Sequence, residues 1–95
     1  MTARQVRWLH AALADLEGYA GFIAQDDPDM AQDVARRVWD AANGLSLSSD
    51  RGRPGRVPGT RELVLTTLPM IIAYRVQDGD VQILRVLHQR RRVGS

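Results

Sequence analysis

The chain contains neither cysteine nor lysine among its 95 residues. Without cysteine it can form neither disulfides nor cysteine-based zinc sites, and only two histidines are present to bind a metal. No apolar run approaches the roughly 20 residues of a membrane span, and the N-terminus lacks the hydrophobic region of a signal peptide. We therefore expect a protein of the cytoplasm that enters no membrane and uses no metal or cofactor.

The basic residues are all arginine, and their distribution along the chain is uneven. The formal net charge is only +2, yet residues 8–50 hold most of the acidic side chains and residues 51–95 hold nine of the thirteen arginines. This asymmetry predicts a small domain with an acidic pole and a basic pole. Such a surface could bind an anionic target at the basic pole and a basic partner at the acidic pole.

Length and apolar content predict one globular domain over residues 1–95, ending in a basic tail at 88–95. Hydrophobic periodicity and turn signals predict the order β-α-α-β-β-β, an α+β fold in which a helical hairpin packs on a small antiparallel sheet. "DDPD" is typical of a helix start, with Asp27 as the cap and Pro28 in the first turn. The predicted strands lie at 3–9, 60–66, 68–77 and 80–88, and the predicted helices run from Leu9 to about Gln25 and from Asp27 to Gly44.

The dipeptide Asp78-Gly79 predicts a tight hairpin between the last two strands. Pairing Gln77 with Asp80 would place Tyr74 opposite Ile83 and Ile72 opposite Arg85, on the face that we expect to receive the helices. The other face is too apolar to be only a solvent-exposed surface, and it is predicted to bind a partner or a ligand. That face would carry Ile71, Ala73, Arg75, Gln82, Leu84, Val86 and His88.

A stiff basic loop leads into the first of these three strands. The stretch "GRPGRVPGTRELV", residues 52–64, places three arginines among three glycines and two prolines. Proline restricts the backbone and glycine permits tight turns, so this loop should hold a defined shape. Its spacing does not match a phosphate-binding P-loop, which also requires a lysine.

The helical hairpin, "GRPGR", "GTRELV", "IIAYRV", the Asp-Gly turn and "ILRVLH" occur in an order that resembles the RelE/ParE family of bacterial toxins. These toxins belong to type II toxin–antitoxin systems, and the resemblance covers about residues 4–92. It implies a compact α+β fold and a cognate antitoxin as partner. It also implies one of two activities: ribosome-dependent cleavage of messenger RNA, as in RelE-like members, or poisoning of DNA gyrase, as in ParE-like members.

The resemblance also indicates candidate site residues. Arg61 matches the family's strand arginine, which in the ribonucleases holds the scissile phosphate through a bidentate, permanently charged contact. His88 lies where some relatives carry a general acid–base, and histidine is the side chain most often used for proton transfer near neutral pH. Arg90 is a further catalytic or target-binding candidate. The anion- or target-contacting candidates are Arg53, Arg56, Arg75, Arg91 and Arg92, and the candidates for antitoxin binding are Ile71, Ala73, Leu84 and Val86.

Departures from the ribonuclease pattern favour the gyrase alternative. The absence of lysine removes the lysine base and lysine phosphate contacts of the best-known RelE-type sites, and no tyrosine follows His88. Arginine can replace a phosphate contact, but it does not readily act as a base. The leading hypothesis is therefore a ParE-like toxin that binds and poisons gyrase. The alternatives are an RNA-cleaving toxin that uses Arg61 and His88, and a non-toxic module that only binds the antitoxin.

Overall fold

The structure, a computed structural model, describes residues 3–89. The predicted α+β class and the predicted element order are confirmed, with one short strand added in the basic loop. The elements are β1 (Val6–Trp8), α1 (His10–Ala24), α2 (Pro28–Asn43), a 3₁₀ turn (Gly44–Ser46), β2 (Arg53–Pro54), β3 (Arg61–Val64), β4 (Met70–Gln77) and β5 (Asp80–His88). No helix within residues 3–89 is long and apolar enough to span a membrane.

The five strands form one sheet in the order β1-β5-β4-β3-β2. The three pairings among β2, β3, β4 and β5 are antiparallel, whereas β1 pairs with β5 in parallel, so the sheet is mixed. The parallel pairing joins Val6 to Val81 and Trp8 to Ile83. It places the first strand at the edge of the sheet beside the last one.

The helical hairpin follows from local sequence signals. Asp27 caps α2 by accepting the backbone N–H of Met30, and Pro28 occupies the first turn, as predicted. Both helices bury aliphatic side chains against one face of the sheet. The core comprises Ala12, Leu16, Val34, Val38, Ala42, Leu45, Leu63, Met70, Ile72, Tyr74, Val81, Ile83 and Val86.

A β-bulge in β5 changes which side chains share a sheet face. The predicted register holds from Gln77 opposite Asp80 to Tyr74 opposite Ile83. It then shifts by one residue, because Leu84 is an extra residue in β5 and Ala73 lies opposite Arg85. Beyond a bulge the alternation of faces is offset, so the residues that follow it change sides.

The bulge corrects two placements made from the sequence. Val86 lies opposite Ile72 and is fully buried in the core, so its placement on the partner-binding face was wrong. His88 lies opposite Met70, a core residue, so it also belongs to the face that receives the helices. We use "outer face" for the opposite side of the sheet, which retains Ile71, Ala73, Arg75 and Gln82 and gains Leu87.

Candidate functional site

Arg61 holds the basic loop in place through hydrogen bonds. It lies in β3 opposite Tyr74, and its Nη1 atom donates to the backbone carbonyls of Gly52 at 2.8 Å and Asp50 at 3.4 Å. The side chain is half-buried. Its guanidinium therefore already has a structural role, which the sequence pattern alone did not reveal.

The hydroxyl of Tyr74, on the adjacent strand β4, also holds the basic loop in place. Its buried hydroxyl accepts the N–H of Gly52 at 2.8 Å and donates to the carbonyl of Ser49 at 2.7 Å. Burial raises the pKa of this hydroxyl above its ordinary value, and the Gly52 hydrogen bond opposes that rise. A Cβ atom on Gly52 would lie only 2.6 Å from the Tyr74 oxygen, so glycine is required where the loop meets the sheet.

The other two loop arginines differ in their contacts. Arg53 pairs through Nη2 with Oε1 of Glu62 at 3.2 Å, and Glu62 is buried, so the arginine compensates a buried charge. Arg56 is exposed at the tip, and we find no side-chain hydrogen bond or ion pair to it from residues 3–89. Of the two, Arg56 is the arginine that an external anion could reach at least cost.

His88 lies at the far end of β5, against α1. Its backbone N–H donates to the hydroxyl of Tyr19 at 3.1 Å, and the two rings are tilted with centroids 6.2 Å apart. The imidazole is half-buried and lines a groove beside α1. The position is compatible with binding, but it is far from the basic loop.

The structure does not bring Arg61 and His88 together. Arg61 lies opposite Tyr74, and His88 lies opposite Met70, four residues away along β4. Four residues of strand span roughly 13 Å, and β3 and β5 flank β4 about 10 Å apart, so the two backbones are separated by roughly 16 Å. The two side chains therefore do not form one compact phosphate-binding site, since the Arg61 guanidinium is bound to the loop carbonyls of Asp50 and Gly52.

On the outer face, the side chain of Arg75 is hydrogen-bonded to an uncharged neighbour. Its Nε atom donates to Oε1 of Gln82 at 2.7 Å. The predicted antitoxin contacts differ in accessibility, since Ile71 is buried whereas Ala73 and Leu84, the extra residue of the bulge, are half-buried. Ala73 and Leu84 therefore stay predicted contacts with some accessible surface.

Sequence reasoning missed the groove beside α1, which we call the α1 groove. It has a volume of about 680 Å³. Phe22, at its rim, leaves 72% of its surface exposed, the largest fraction of any large hydrophobic residue within 3–89. The groove is lined by Ala14, Asp15, Gly18, Tyr19, Phe22, Ile23, Val34, Leu68, Pro69, Met70 and His88.

The acidic side chain of Asp15 on α1 does not extend freely into solvent. Its carboxylate instead accepts Nε and Nη2 of Arg85 at 2.7 and 3.0 Å and the N–H of Val86 at 2.9 Å. The hydrogen bond with Asp15 and its negative charge raise the pKa of Arg85 above the ordinary value. No sequence motif marks this contact, because it depends on the bulge in β5.

Two further predictions concern the basic tail and metal binding. Arg90, Arg91 and Arg92 lie outside the described residues, so their roles stay predictions. Within residues 3–89, no group of three or more histidine, aspartate or glutamate side chains is arranged as a set of metal ligands.

Comparison with known proteins decides the family. The family model "ParE toxin of type II toxin-antitoxin system, parDE" matches residues 6–93, nearly the whole chain. The chain belongs to the ParE toxin family. This ParE-family toxin is 43% identical over 88 residues to "Putative toxin Y4kP" of Sinorhizobium fredii, covering 93% of this chain and 91% of that one. It is 41% identical over 87 residues to "Toxin RelE2" of Caulobacter vibrioides, covering 92% and 97%.

Solved structures support the same assignment for the fold. The toxin matches a chain of the chromosomal ParDE toxin–antitoxin system of P. aeruginosa with a TM-score of 0.85 at 27% identity, covering 90% of this chain and 96% of that one. It matches a chain of the RelBE2 toxin–antitoxin complex of Mycobacterium tuberculosis with a TM-score of 0.61 at 27% identity, covering 90% and 98%. The protein is thus a toxin of the type II toxin–antitoxin class with a ParE/RelE fold.

Proposed function

We propose that this toxin arrests bacterial growth in the cytoplasm by binding and poisoning DNA gyrase, and that a cognate antitoxin neutralises it. The match to the ParE family model over residues 6–93 supports this assignment over the RelE-like one. So does the higher TM-score with the ParDE chain, 0.85 against 0.61 for the RelBE2 chain. On this proposal the protein is a binding inhibitor and performs no chemistry of its own.

The observation that carries the proposal is the separation of Arg61 from His88. A ribonuclease of the RelE type needs a phosphate-binding cation and a proton-transferring group at the same scissile bond. Here the two candidates lie four residues apart along β4 and on opposite sides of it, and the guanidinium of Arg61 is already hydrogen-bonded to loop carbonyls. The chain also has no lysine that could replace either group.

The second candidate function, RNA cleavage on the ribosome, has one observation in its favour. His88 and Tyr19 are adjacent and both line the α1 groove, so the imidazole has an accessible position beside the Tyr19 hydroxyl. In this alternative Arg90, Arg91 and Arg92 would supply the phosphate contacts. Arg61 would then be a structural residue.

Induction of the toxin in a bacterial host, with plasmid topology and transcript integrity measured over time, separates the two functions. Gyrase poisoning should yield gyrase-linked DNA breaks before any change in transcripts. RNA cleavage should yield truncated transcripts at defined codon positions with normal topology, and that result would overturn the gyrase proposal. Continued growth with neither effect would support the non-toxic, antitoxin-binding alternative.

A matched set of variants identifies which arginines contact the target. Arg56→Ala removes an exposed cation without disturbing a described contact, whereas Arg53→Ala removes the ion pair between Arg53 and the buried carboxylate of Glu62. We expect Arg56→Ala to weaken growth arrest at unchanged thermal stability. If Arg56→Ala were fully toxic and Arg53→Ala were not, stability rather than target contact would account for the loop's importance.

A further inference from the structure

The solvent side of α2 carries a tryptophan that lies outside the core. Trp39 leaves 44% of its surface exposed, and its ring stacks on that of Trp8 with centroids 4.9 Å apart and planes 16° apart. Trp8 is held in turn, because its Nε1 atom donates to Oδ1 of Asn43 at 3.4 Å. The ring of Trp39 is therefore fixed in one orientation while part of it stays accessible, as in the hot spots of protein interfaces.

Two opposite charges accompany this ring on the solvent side of the helix. Arg36 lies one turn before Trp39, Asp40 follows it directly, and both charged residues are exposed. Neither Arg36 nor Asp40 forms an ion pair within residues 3–89. Their spacing of four residues permits one, but an arginine that precedes the acid is the less favourable order within a helix. A cation and an anion beside Trp39 are thus both available to a partner.

The two ends of α2 also differ in charge. Asp29 and Asp33 occupy exposed positions toward its N-terminus, where Asp33 also contacts Arg37 at 3.6 Å. At its C-terminus, Nη1 of the exposed Arg51 lies 4.0 Å from the place that a Cβ atom on Gly44 would take. One end of the helix is therefore acidic and the other basic. We use "α2 surface" for Asp29, Asp33, Arg36, Trp39, Asp40 and Arg51.

The order of charges on the α2 surface is complementary to its own reverse. If two copies of α2 lie antiparallel about a twofold axis midway between Arg36 and Asp40, each Arg36 faces the other copy's Asp40. The acidic end of each helix then lies beside the basic end of the other. Trp39 is one residue, about 1.5 Å, from the level of that axis, so the two Trp39 rings meet across it. A parallel arrangement would instead oppose like charges at every position.

We propose that the toxin associates with a second copy of itself through the α2 surface, as an isologous and reversible dimer. Two ion pairs between Arg36 and Asp40 enclose the pair of Trp39 rings. Because each copy contributes essentially one helix, the contact is small, and the dimer forms at micromolar concentration and not at nanomolar concentration. No residue of the α2 surface lines the α1 groove. The inference goes beyond the proposed function, since it requires neither gyrase nor an antitoxin.

Charge reversal provides a specific test, with toxin made by cell-free synthesis so that no host is poisoned. Arg36→Asp places like charges opposite each other at both ion pairs of a dimer, and Asp40→Arg does the same with the other sign. Each variant alone should self-associate at least about tenfold more weakly than the wild type in sedimentation equilibrium. Mixed in equal amounts, the two variants restore both ion pairs and should form a heterodimer of wild-type affinity.

Matched controls separate a local contact from a change in net charge. Glu17→Arg on α1 and Arg56→Asp at the loop tip alter the charge by the same amounts at exposed positions outside the α2 surface, and both should dimerise like the wild type. Trp39→Ala, which leaves the charges in place, should also weaken self-association at least about tenfold. The melting temperature of each variant, measured alongside, shows that the monomers are folded.

Three results would overturn the proposal. The first is a wild-type toxin that stays monomeric up to its solubility limit. The second is a dimer that folded Arg36→Asp and Asp40→Arg variants form as readily as the wild type. The third is a mixture of these two variants that contains no more dimer than either alone. Each result concerns only the mass of the toxin in solution, so it is distinguishable from failure of the gyrase proposal.

Discussion

The carboxylate of Asp15 on α1 accepts the backbone N–H of Val86 on β5, with 2.9 Å between oxygen and nitrogen. The same carboxylate pairs with Arg85 at 2.7 Å. Tyr19, one turn further along α1, accepts the N–H of His88. Side chains on one side of α1 therefore accept hydrogen bonds from backbone N–H groups of β5 that lie beyond its pairing with β1.

Asp15→Ala should lower the free energy of unfolding by about 1–3 kcal/mol, because it leaves a partly buried N–H without an acceptor and removes the partner of Arg85. Asp15→Asn should lose less, since an amide oxygen can still accept the Val86 N–H. Urea unfolding measures both. Glu17→Ala, an exposed acidic position on the same helix, is the control, and an equal loss there would show that helix propensity and not the edge contact is responsible.

Tyr74→Phe should cost about 1–3 kcal/mol of stability, because the Ser49 carbonyl and the Gly52 N–H both lose a buried partner. It should also change the alkaline behaviour. Since the pKa of Tyr74 is raised above its ordinary value of 10.0, the folded state keeps a proton that the unfolded state loses, and stability falls as pH rises above about 10.

Unfolding measured from pH 8 to 11 checks this pH dependence. The Tyr74→Phe variant should lose less stability over that interval than the wild type does. Tyr19→Phe removes a half-buried hydroxyl elsewhere and should keep the wild-type alkaline decline, because Tyr74 is still present. An identical decline in Tyr74→Phe would contradict the assignment of the alkaline effect to this residue.

Two glycine-to-alanine variants should change stability in opposite directions. Gly52→Ala places a methyl group 2.6 Å from the Tyr74 oxygen and should destabilise the fold by about 1–3 kcal/mol. Gly18→Ala meets nothing within 4 Å and should stabilise α1 by up to about 1 kcal/mol. Thermal denaturation followed by circular dichroism compares them directly, and equal effects would argue against the tight contact at Gly52.

A double-mutant cycle on Arg61 and His88 tests their independence. Because the two residues are roughly 16 Å apart by strand geometry, their alanine substitutions should reduce growth arrest by factors that multiply. In a shared catalytic site, either substitution alone would abolish activity and the double variant would be no worse. Arg61→Ala also releases the loop at Asp50 and Gly52, so the melting temperature of each variant must be measured alongside.

Local structure could be predicted from the sequence wherever a short motif determines the backbone geometry. Asp27 and Pro28 begin α2 as predicted, and Asp78-Gly79 forms a turn with both residues at positive φ, 53° and 82°. The predicted register of the hairpin is confirmed from the turn as far as Tyr74 opposite Ile83. These features depend on neighbours a few residues away.

The bulge at Leu84 could not be predicted from the sequence. Because of it, the predicted sheet faces of Val86 and His88 were wrong. Nothing in "ILRVLH" distinguishes a regular strand from a bulged one. The shifted register is supported by Asp15, which lies about 70 residues earlier in the chain and accepts the N–H of Val86. The roles of Val86 and His88 therefore depended on a contact between distant segments, which periodicity does not report.

The parallel pairing of β1 with β5 means that the first strand to be synthesised has no partner until the last one is made. A nascent chain can form its helical hairpin early, because those contacts are local, but the sheet cannot close before β5 leaves the ribosome. A premature stop ahead of Asp80 would remove the neighbour of both β1 and β4 at once. Incomplete translation thus produces a chain that lacks the strand joining β1 to the rest of the sheet.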